Sequence, residues 1–445
     1  MASEVQWLEK PLGKLTFNHD GKRKPVKESE RRKGVYPYYG ASGIVDYVDG
    51  YLFEGRHLLI AEDGENLRTR NTPIAFLADG KFWVNNHAHI VTGNGEVTTE
   101  YLHYFLQNAD IQSYLTGAVM PKLTQGNLNR IPVRYPDFKY QNAIVGVLGA
   151  LDGKIINNHL INQTLEGMVK AIFKSWFVDF DPVKAKIAAK AEGRDPLRAA
   201  MSAISGKLDA ELSKLPPEHY EQLADTAALF ADEMEESEVG EIPRGWVVRA
   251  MPDCIDVNPS RTLKKGSVAR YLDMANVPMN FVRAQNVVPR EFASGSKFRN
   301  GDTLLARITP CLENGKTIFV DFLNVDEVGW GSTEFIVLRP KNGLPEPFAY
   351  FLCRDPDFRA FAISQMAGTS GRQRVPNDCF GGYKLAEPSG AVAVEFGRLA
   401  SAALSQIKAL DEEAKMLASL RDTLLPKLIS GELSIDSLIE SAEAV

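Results

Sequence analysis

Few side chains in this sequence are spaced for covalent chemistry. Residues 310–317, PCLENGKT, keep the GxxxxGKT spacing of a phosphate loop, yet Pro310 stands where the first glycine must let the backbone curve around phosphate. Lys316-Thr317 then leads into the strand-like IFVDF instead of a helix. Methyl transfer would need a Gly-rich cofactor turn and an Asn/Asp-Pro-Pro-aromatic motif, and VNPS at 257–260 lacks the second proline and the aromatic. His87 and His89 read as one face of a strand and could offer two imidazoles to a metal. No third or fourth ligand has suggestive spacing, so a structural or surface role is expected and no metal site. Pro136-Asp137-Phe138-Lys139 is a poor match to the PD-(D/E)xK nuclease pattern, which needs acids flanking a strand lysine. No Ser-His-Asp arrangement suggests itself. The chain reads as a binder, not an enzyme, with no catalytic residues.

Binding chemistry is better represented. GAVMPKLTQGN (117–127) and GTSGRQRVPND (368–378) are polar-basic turns, each just ahead of a long helical pattern. Lys122, Gln125 and Asn127, then Arg372, Gln373 and Arg374, are the donor types that read base edges in a major groove. The first half adds Lys22, Arg23, Lys24, Arg31, Arg32, Lys33, Arg68 and Arg70, and the second adds Arg261, Lys264, Lys265, Arg307 and Lys316. Such cations suit phosphates as well as bases. The net charge of −6 conceals these districts. Residues 181–240 hold 13 acids and 7 bases and so carry all of it. Residues 1–40 have 9 bases against 5 acids, and 260–316 have 10 against 4.

At roughly 150 residues per domain, 445 residues suggest about three units. With 44% hydrophobic and 24% charged residues, the composition can fill packed cores. No apolar run reaches 18 residues, and MASEVQWLEKPLGK lacks the apolar stretch of a signal peptide. Cys254, Cys311, Cys353 and Cys379 are far apart with no CxxC pair, against both a zinc ribbon and a disulfide framework. A soluble, cytoplasmic protein is expected.

The chain also repeats itself. Shifted by 246, Gly55, Leu58, Leu59, Ile90, Val91, Tyr104, Phe105 and Leu106 meet identical residues, eight matches where roughly three would arise by chance. Upstream the shift is 239, pairing Trp7 with Trp246; downstream it is 252, pairing Pro136 with Pro388. Growth of the shift is what loop insertions produce. In each copy short β-branched and aromatic runs (GIVDYV, HLLIAE, HIVTG; DTLLARI, TIFVDF, EFIVLRP) read as strands. A helical patch follows, TTEYLHYFLQN or EPFAYFLCR, and a long helix closes each copy, about 141–180 and 391–430. The expected fold class is α+β: two tandem α/β domains separated by two long antiparallel coiled-coil helices, a pseudo-two-fold repeat.

The long helices carry a heptad seam. Leu151, Ile155, Asn158, Asn162, Leu165, Val169, Ile172 and Trp176 alternate in steps of four and three. Ala403, Ile407, Leu410, Ala414, Leu417, Arg421, Leu424 and Leu428 do the same, with Arg421 an interruption. Gly149 and Gly153, matched by Ser401 and Ser405, would permit close backbone approach. Asn158 and Asn162 either pin register by pairing across the seam or mark a wet stretch. Residues 181–240, broken at Pro196, Pro216 and Pro217, read as an inserted linker with some helix of its own. The expected division is 1–138, first head; 139–180, first spacer helix; 181–240, linker; 241–388, second head; 389–432, second spacer helix; and 433–445, tail.

YPYYGASGIVDYVDGYLFEG (36–55), LLIAEDGEN (58–66), FRNGDTLLARI (298–308), STEFIVLRP (332–340), LEGMVKAIFKSWFVDFDP (165–182) and LASLRDTLLPKLISGELSI (417–435) together resemble the specificity subunits of type I restriction–modification systems. The resemblance covers nearly the whole chain, and LRDTLLPKLISGEL is its most specific part. It implies two target-recognition domains, each reading half of a split double-stranded DNA site, with helical spacers that dock two methyltransferase subunits. By the same resemblance S-adenosylmethionine sits on the methyltransferase partner, and ATP and Mg on a restriction/translocase partner. This chain itself would bind no cofactor. The competing reading is a protein-binding scaffold with two peptide-binding heads.

Overall fold

The structure is a computed structural model and describes residues 5–369, 371–433 and 435; the expected tail therefore lies outside the described residues apart from Leu433 and Ile435. Two compact units result, Met1–Asn157 with Glu413–Val445, and Asn158–Glu412. The long helices, Phe138–Phe177 and Gly390–Ser430, each contribute to both.

The first unit is built from β1 (Leu8–Pro11), β2 (Thr16–Asn18), β3 (Lys33–Gly40), β4 (Gly43–Val48), β5 (Phe53–Glu54), β6 (His57–Ala61), β7 (Ala75–Ala78), β8 (Lys81–Val84), β9 (Ala88–Gly93) and β10 (Pro132–Tyr135). They form sheets of order β2-β9-β6-β7 and β4-β3-β8-β5 and a pair β1-β10; β3 and β8 run parallel. A hairpin, β11 (Met234–Ser237) with β12 (Gly240–Pro243), opens the second unit's strands. The rest are β13 (Val247–Ala250), β14 (Ile255–Val257), β15 (Val268–Leu272), β16 (Val288–Glu291), β17 (Ser296–Phe298), β18 (Thr303–Ala306), β19 (Thr317–Phe319), β20 (Gly329–Gly331), β21 (Phe335–Pro340) and β22 (Lys384–Glu387). Their orders are β14-β21-β18-β19, β16-β15-β20-β17 and β13-β22, with β15 and β20 parallel. Every strand of the first unit thus has a counterpart twelve places later, and the two units share one topology.

The shifts of 239 and 252 recur in the strand pairing: Leu8 faces Tyr135 as Val247 faces Glu387. The shift of 246 does not hold within the sheets, and this corrects the sequence alignment. Leu58 and Val91 lie in the core beneath the helices, whereas Leu304 and Val337 lie in the core between the two sheets. Matching by face maps β6 onto β18 with a shift of 245 and β9 onto β21 with 247, so that Leu58–Val91 corresponds to Thr303–Leu338. One residue of slip turns a side chain to the opposite face. Adjacent leucines and β-branched residues on strands buried from both sides hide such a slip from sequence comparison. The tryptophan match is a structural one: the Trp7 ring packs against Gly431 just past the second long helix, and Trp246 against Phe177 at the end of the first.

The helix pair is antiparallel in each unit. Asp152 meets Arg421 (2.7 Å) and Lys154 meets Glu413 (3.6 Å) in the first; Asn158 Nδ2 donates to the Leu410 carbonyl (3.3 Å) and Phe173 packs on Phe396 (5.7 Å) in the second. Of the expected seam, Asn158, Asn162, Trp176, Ile407 and Leu428 are buried, while Leu151, Ile155, Leu165, Ile172, Leu410, Leu417 and Leu424 are half-buried. Phe173 takes the buried place expected of Ile172, because a straight helix drifts against a strict seven-residue period. Arg421 interrupts the apolar seam because it answers Asp152, whose other oxygen accepts from the Tyr104 hydroxyl (2.8 Å).

The expected close approach at Gly149 and Gly153 is absent. A methyl group at Gly153 would meet nothing within 4 Å, and one at Gly149 only the Tyr104 hydroxyl at 3.7 Å. Gly146 and Gly167 are equally open. Alanine at positions 146, 153 and 167 is therefore expected to stabilise the chain by ~0.8–1 kcal/mol each. Thermal denaturation checks this, and a lowered Tm would mean that the glycines serve a contact.

Residues 181–240 are largely helical. Helices Asp181–Ala191, Pro196–Ser205 and Pro217–Ala228 enclose a small core of Ala200, Met201, Leu212 and Ala227. Pro196 and Pro217 start helices, at a position whose N–H needs no partner, and Asp195 caps the Leu197 and Arg198 N–H groups. Phe230 then packs edge-on to Trp176 at 4.9 Å.

Candidate nucleic-acid interface

In the first unit the basic turn after β2 folds back onto the ends of β6 and β9. Asp20 makes this happen: its carboxylate accepts from the Ile90 N–H (2.8 Å) and lies 2.6 Å from His89 Nδ1, while His89 Nε2 reaches the Leu123 carbonyl (2.7 Å). Burial pushes the Asp20 carboxyl up, but the bonds from His89 and Ile90 outweigh it and hold the group below its ordinary range. Arg23 then reaches Glu62 (2.6 Å) and the Ala88 carbonyl (2.8 Å), and Lys122 meets the other oxygen of Glu62 at 3.2 Å. The Glu62 carboxyl is likewise lowered, burial being outweighed chiefly by Arg23.

The same backbone frame recurs in the second unit. Leu123 N–H donates to Glu62 O as Val375 N–H donates to Arg307 O; Glu62 N–H donates to His87 O as Arg307 N–H donates to Glu334 O. Gly64 N–H holds the Pro121 carbonyl as Thr309 N–H holds that of Gln373. Lys122 and Arg374 each bridge a strand end and the far side of their loop. Glu62 therefore corresponds to Arg307, His87 to Glu334 and Lys122 to Arg374. Identical main chain carries different charges. In the second unit the frame borders a cleft of about 390 Å³ lined by Asn258, Ser260, Arg261, Lys297, Arg307 and Asn377 among others.

The expected binding residues divide into two groups. Arg23, Arg31 (with Asp46, 3.2 Å, and over the Tyr38 ring), Lys122, Arg261 (with Asp302, 3.1 Å) and Arg374 (with Glu334, 2.6 Å) are held in ion pairs. Arg68 donates to the Gly117 carbonyl, Arg70 to those of Gln107 and Ala109, Asn127 to Tyr114, Arg307 to Val375 and Lys316 to Met274. These groups brace loops. Gln373 is half-buried with its carbonyl in use. Lys22, Lys24, Arg32, Lys33, Gln125, Lys264, Lys265 and Arg372 are exposed, with no ion-pair or side-chain hydrogen-bond partner among the described residues, and can meet a ligand without breaking a contact. Sequence reasoning missed Lys297, Asn258, Asn377 and Glu62; all four stand within or beside stretches it singled out, and none carries a motif.

Lys316-Thr317 leads into β19, a strand. His87 sits just ahead of β9, 2.8 Å from Asp63, rather than on one strand face with His89. Among the described residues no group of three or more His, Cys, Asp or Glu side chains could hold a metal ion, and no helix is long and apolar enough to cross a membrane.

A family model for the type I restriction modification DNA specificity domain matches residues 4–167. The chain is 44% identical over 149 residues to a Haemophilus influenzae sequence named as type I restriction enzyme specificity subunit S.HindORF215P, of which it spans 38%. It is 28% identical over 357 residues to the HindI specificity subunit of the same organism, covering 76% of each chain. A crystal structure of the S subunit of a type I restriction–modification system from M. genitalium superposes with a TM-score of 0.51 at 14% identity, over 96% of this chain and 97% of that one, a likeness of fold.

Proposed function

We propose that the chain is the DNA sequence-specificity subunit of a type I restriction–modification system, and that each unit reads one half of a split double-stranded site. The observation that carries this is the single backbone frame, present in both units, on which different charged side chains are mounted. A common frame can approach a groove in one way while its side chains select different bases. The antiparallel helices would set the gap between half-sites and dock two methyltransferase subunits. S-adenosylmethionine would belong to those subunits, and ATP with Mg to a restriction/translocase partner. This chain would supply recognition and no catalysis, so methyl transfer by the chain alone would refute the assignment. A peptide-binding scaffold is not favoured, since cations without an ion-pair partner among the described residues, Lys22, Lys24 and Arg372, stand near the frame.

Methylated-base sequencing of the host genome, with and without the gene, identifies the site. Binding of the assembled complex to that site is expected to fall steeply with salt. Lys264→Ala with Lys265→Ala should lower the slope of log affinity against log salt by roughly 1.8, about 0.9 per lost phosphate contact, for all sequences alike. An unchanged slope would remove these lysines from the interface.

A further inference from the structure

Within the polar-basic turn ahead of each long helix, main-chain bonds close a tip. Thr116 and Lys122 exchange both backbone hydrogen bonds (2.8 and 2.7 Å), and so do Ala367 and Arg374 (3.0 and 2.9 Å). Each tip begins at a glycine in the left-handed region, Gly117 (φ 87°) and Gly368 (φ 125°). A side chain on Gly117 would strike the Met120 carbonyl oxygen at 2.2 Å, and one on Gly368 would meet that of Arg372 at 3.2 Å. The same contact thus marks Met120 and Arg372 as counterparts.

Their chemistry is opposite. Val119 is 95% exposed and Met120 63%, adjacent apolar side chains on a loop fixed by Arg68 and by the Gly64–Pro121 bond. Arg372 is an exposed guanidinium without an ion-pair partner among the described residues. A braced loop that holds two apolar groups in water gains nothing by it unless a ligand covers them. The Glu62–Lys122–Arg23 ion pairs join this loop to the turn bearing the free cations Lys22 and Lys24, so the surface beside the tip attracts a polyanion.

We propose that the two tips read bases by different means, Val119-Met120 by packing on a thymine methyl group and Arg372 by a forked hydrogen bond to guanine O6 and N7. The inference rests on the DNA-reading assignment above. Major-groove geometry supplies both targets, since only thymine presents a methyl there and guanine presents two adjacent acceptors.

The test replaces thymines by uracil and guanines by 7-deazaguanine, one position at a time, in the site bound by the assembled complex. At least one uracil in the first half should weaken wild-type binding roughly fourfold, the worth of one buried methyl group. Met120→Ala with Val119→Ala should abolish that sensitivity and leave Tm, methyltransferase assembly and second-half selectivity unchanged. One 7-deazaguanine in the second half should cost about fivefold or more, and Arg372→Ala should erase that difference. A complex that keeps its bipartite preference but ignores every uracil overturns the tip assignment alone. So does a Met120→Ala chain that no longer assembles with the methyltransferase, since a protein would then cover the tip. A complex with no bipartite preference overturns the reading beneath it.

Discussion

Arg283→Leu is expected to destabilise the second unit by about 3–5 kcal/mol, the effect of removing one partner from a buried ion cluster. Arg283 is only 5% exposed. Its guanidinium lies 3.2 Å from Asp321, 3.4 Å from Asp411 and 3.3 Å from Glu412, and donates to the Lys408 carbonyl at 2.8 Å. It therefore fastens the loop before β16 to the second long helix. Burial already pushes the Asp321 carboxyl up, against the pull of Arg283. Without Arg283 that rise grows. A carboxyl raised above its unfolded value contributes its stability below the ordinary carboxylate range and loses it as pH climbs through the raised value. The deficit of the variant should accordingly shrink as pH falls from 7 towards about 4. Calorimetry across that range decides the matter: a deficit independent of pH would assign the loss to packing instead of charge.

Phe396→Ala should cost a similar ~3–5 kcal/mol, for a different reason. The ring is fully buried on the second long helix, with its centroid 5.0 Å from Phe177, 5.7 Å from Phe173, 6.0 Å from Phe351 and 6.5 Å from Trp176. Truncation leaves a cavity between rings that belong to separate elements and cannot close over it. Phe138→Ala, at the exposed start of the first long helix, is the control and should change stability by less than about 0.5 kcal/mol. Denaturant titration reads both variants. A loss below about 1 kcal/mol at Phe396 would mean that the aromatic cluster relaxes more freely than its packing suggests.

Much of the architecture was legible because periodicity is local. GIVDYV, HLLIAE, HIVTG and EFIVLRP alternate or run apolar over strand lengths, and TTEYLHYFLQN begins with Thr98, whose hydroxyl caps the Tyr101 N–H. The 40- and 41-residue helices follow from heptads, and the repeat from identities that survive insertion. The face of each sheet residue was less legible. Leu58-Leu59 and Leu304-Leu305 satisfy either register, so the shift of 246 averaged two real offsets.

The candidate site was legible only as districts. Composition located the basic turns, but it could not tell Arg374, spent on Glu334, from Arg372, which has no ion-pair partner among the described residues. Nor could it see that Arg23 and Lys122 converge on one carboxylate 39 and 60 residues away. Sequence by itself determined the strands, the paired helices and the duplication, because these depend on residue type and spacing along the chain. Tertiary structure alone decided which charges are consumed within the fold and which side chains crown the loop tips. Those outcomes depend on contacts between distant segments, where a partner a few ångströms away converts a ligand-binding group into a strut.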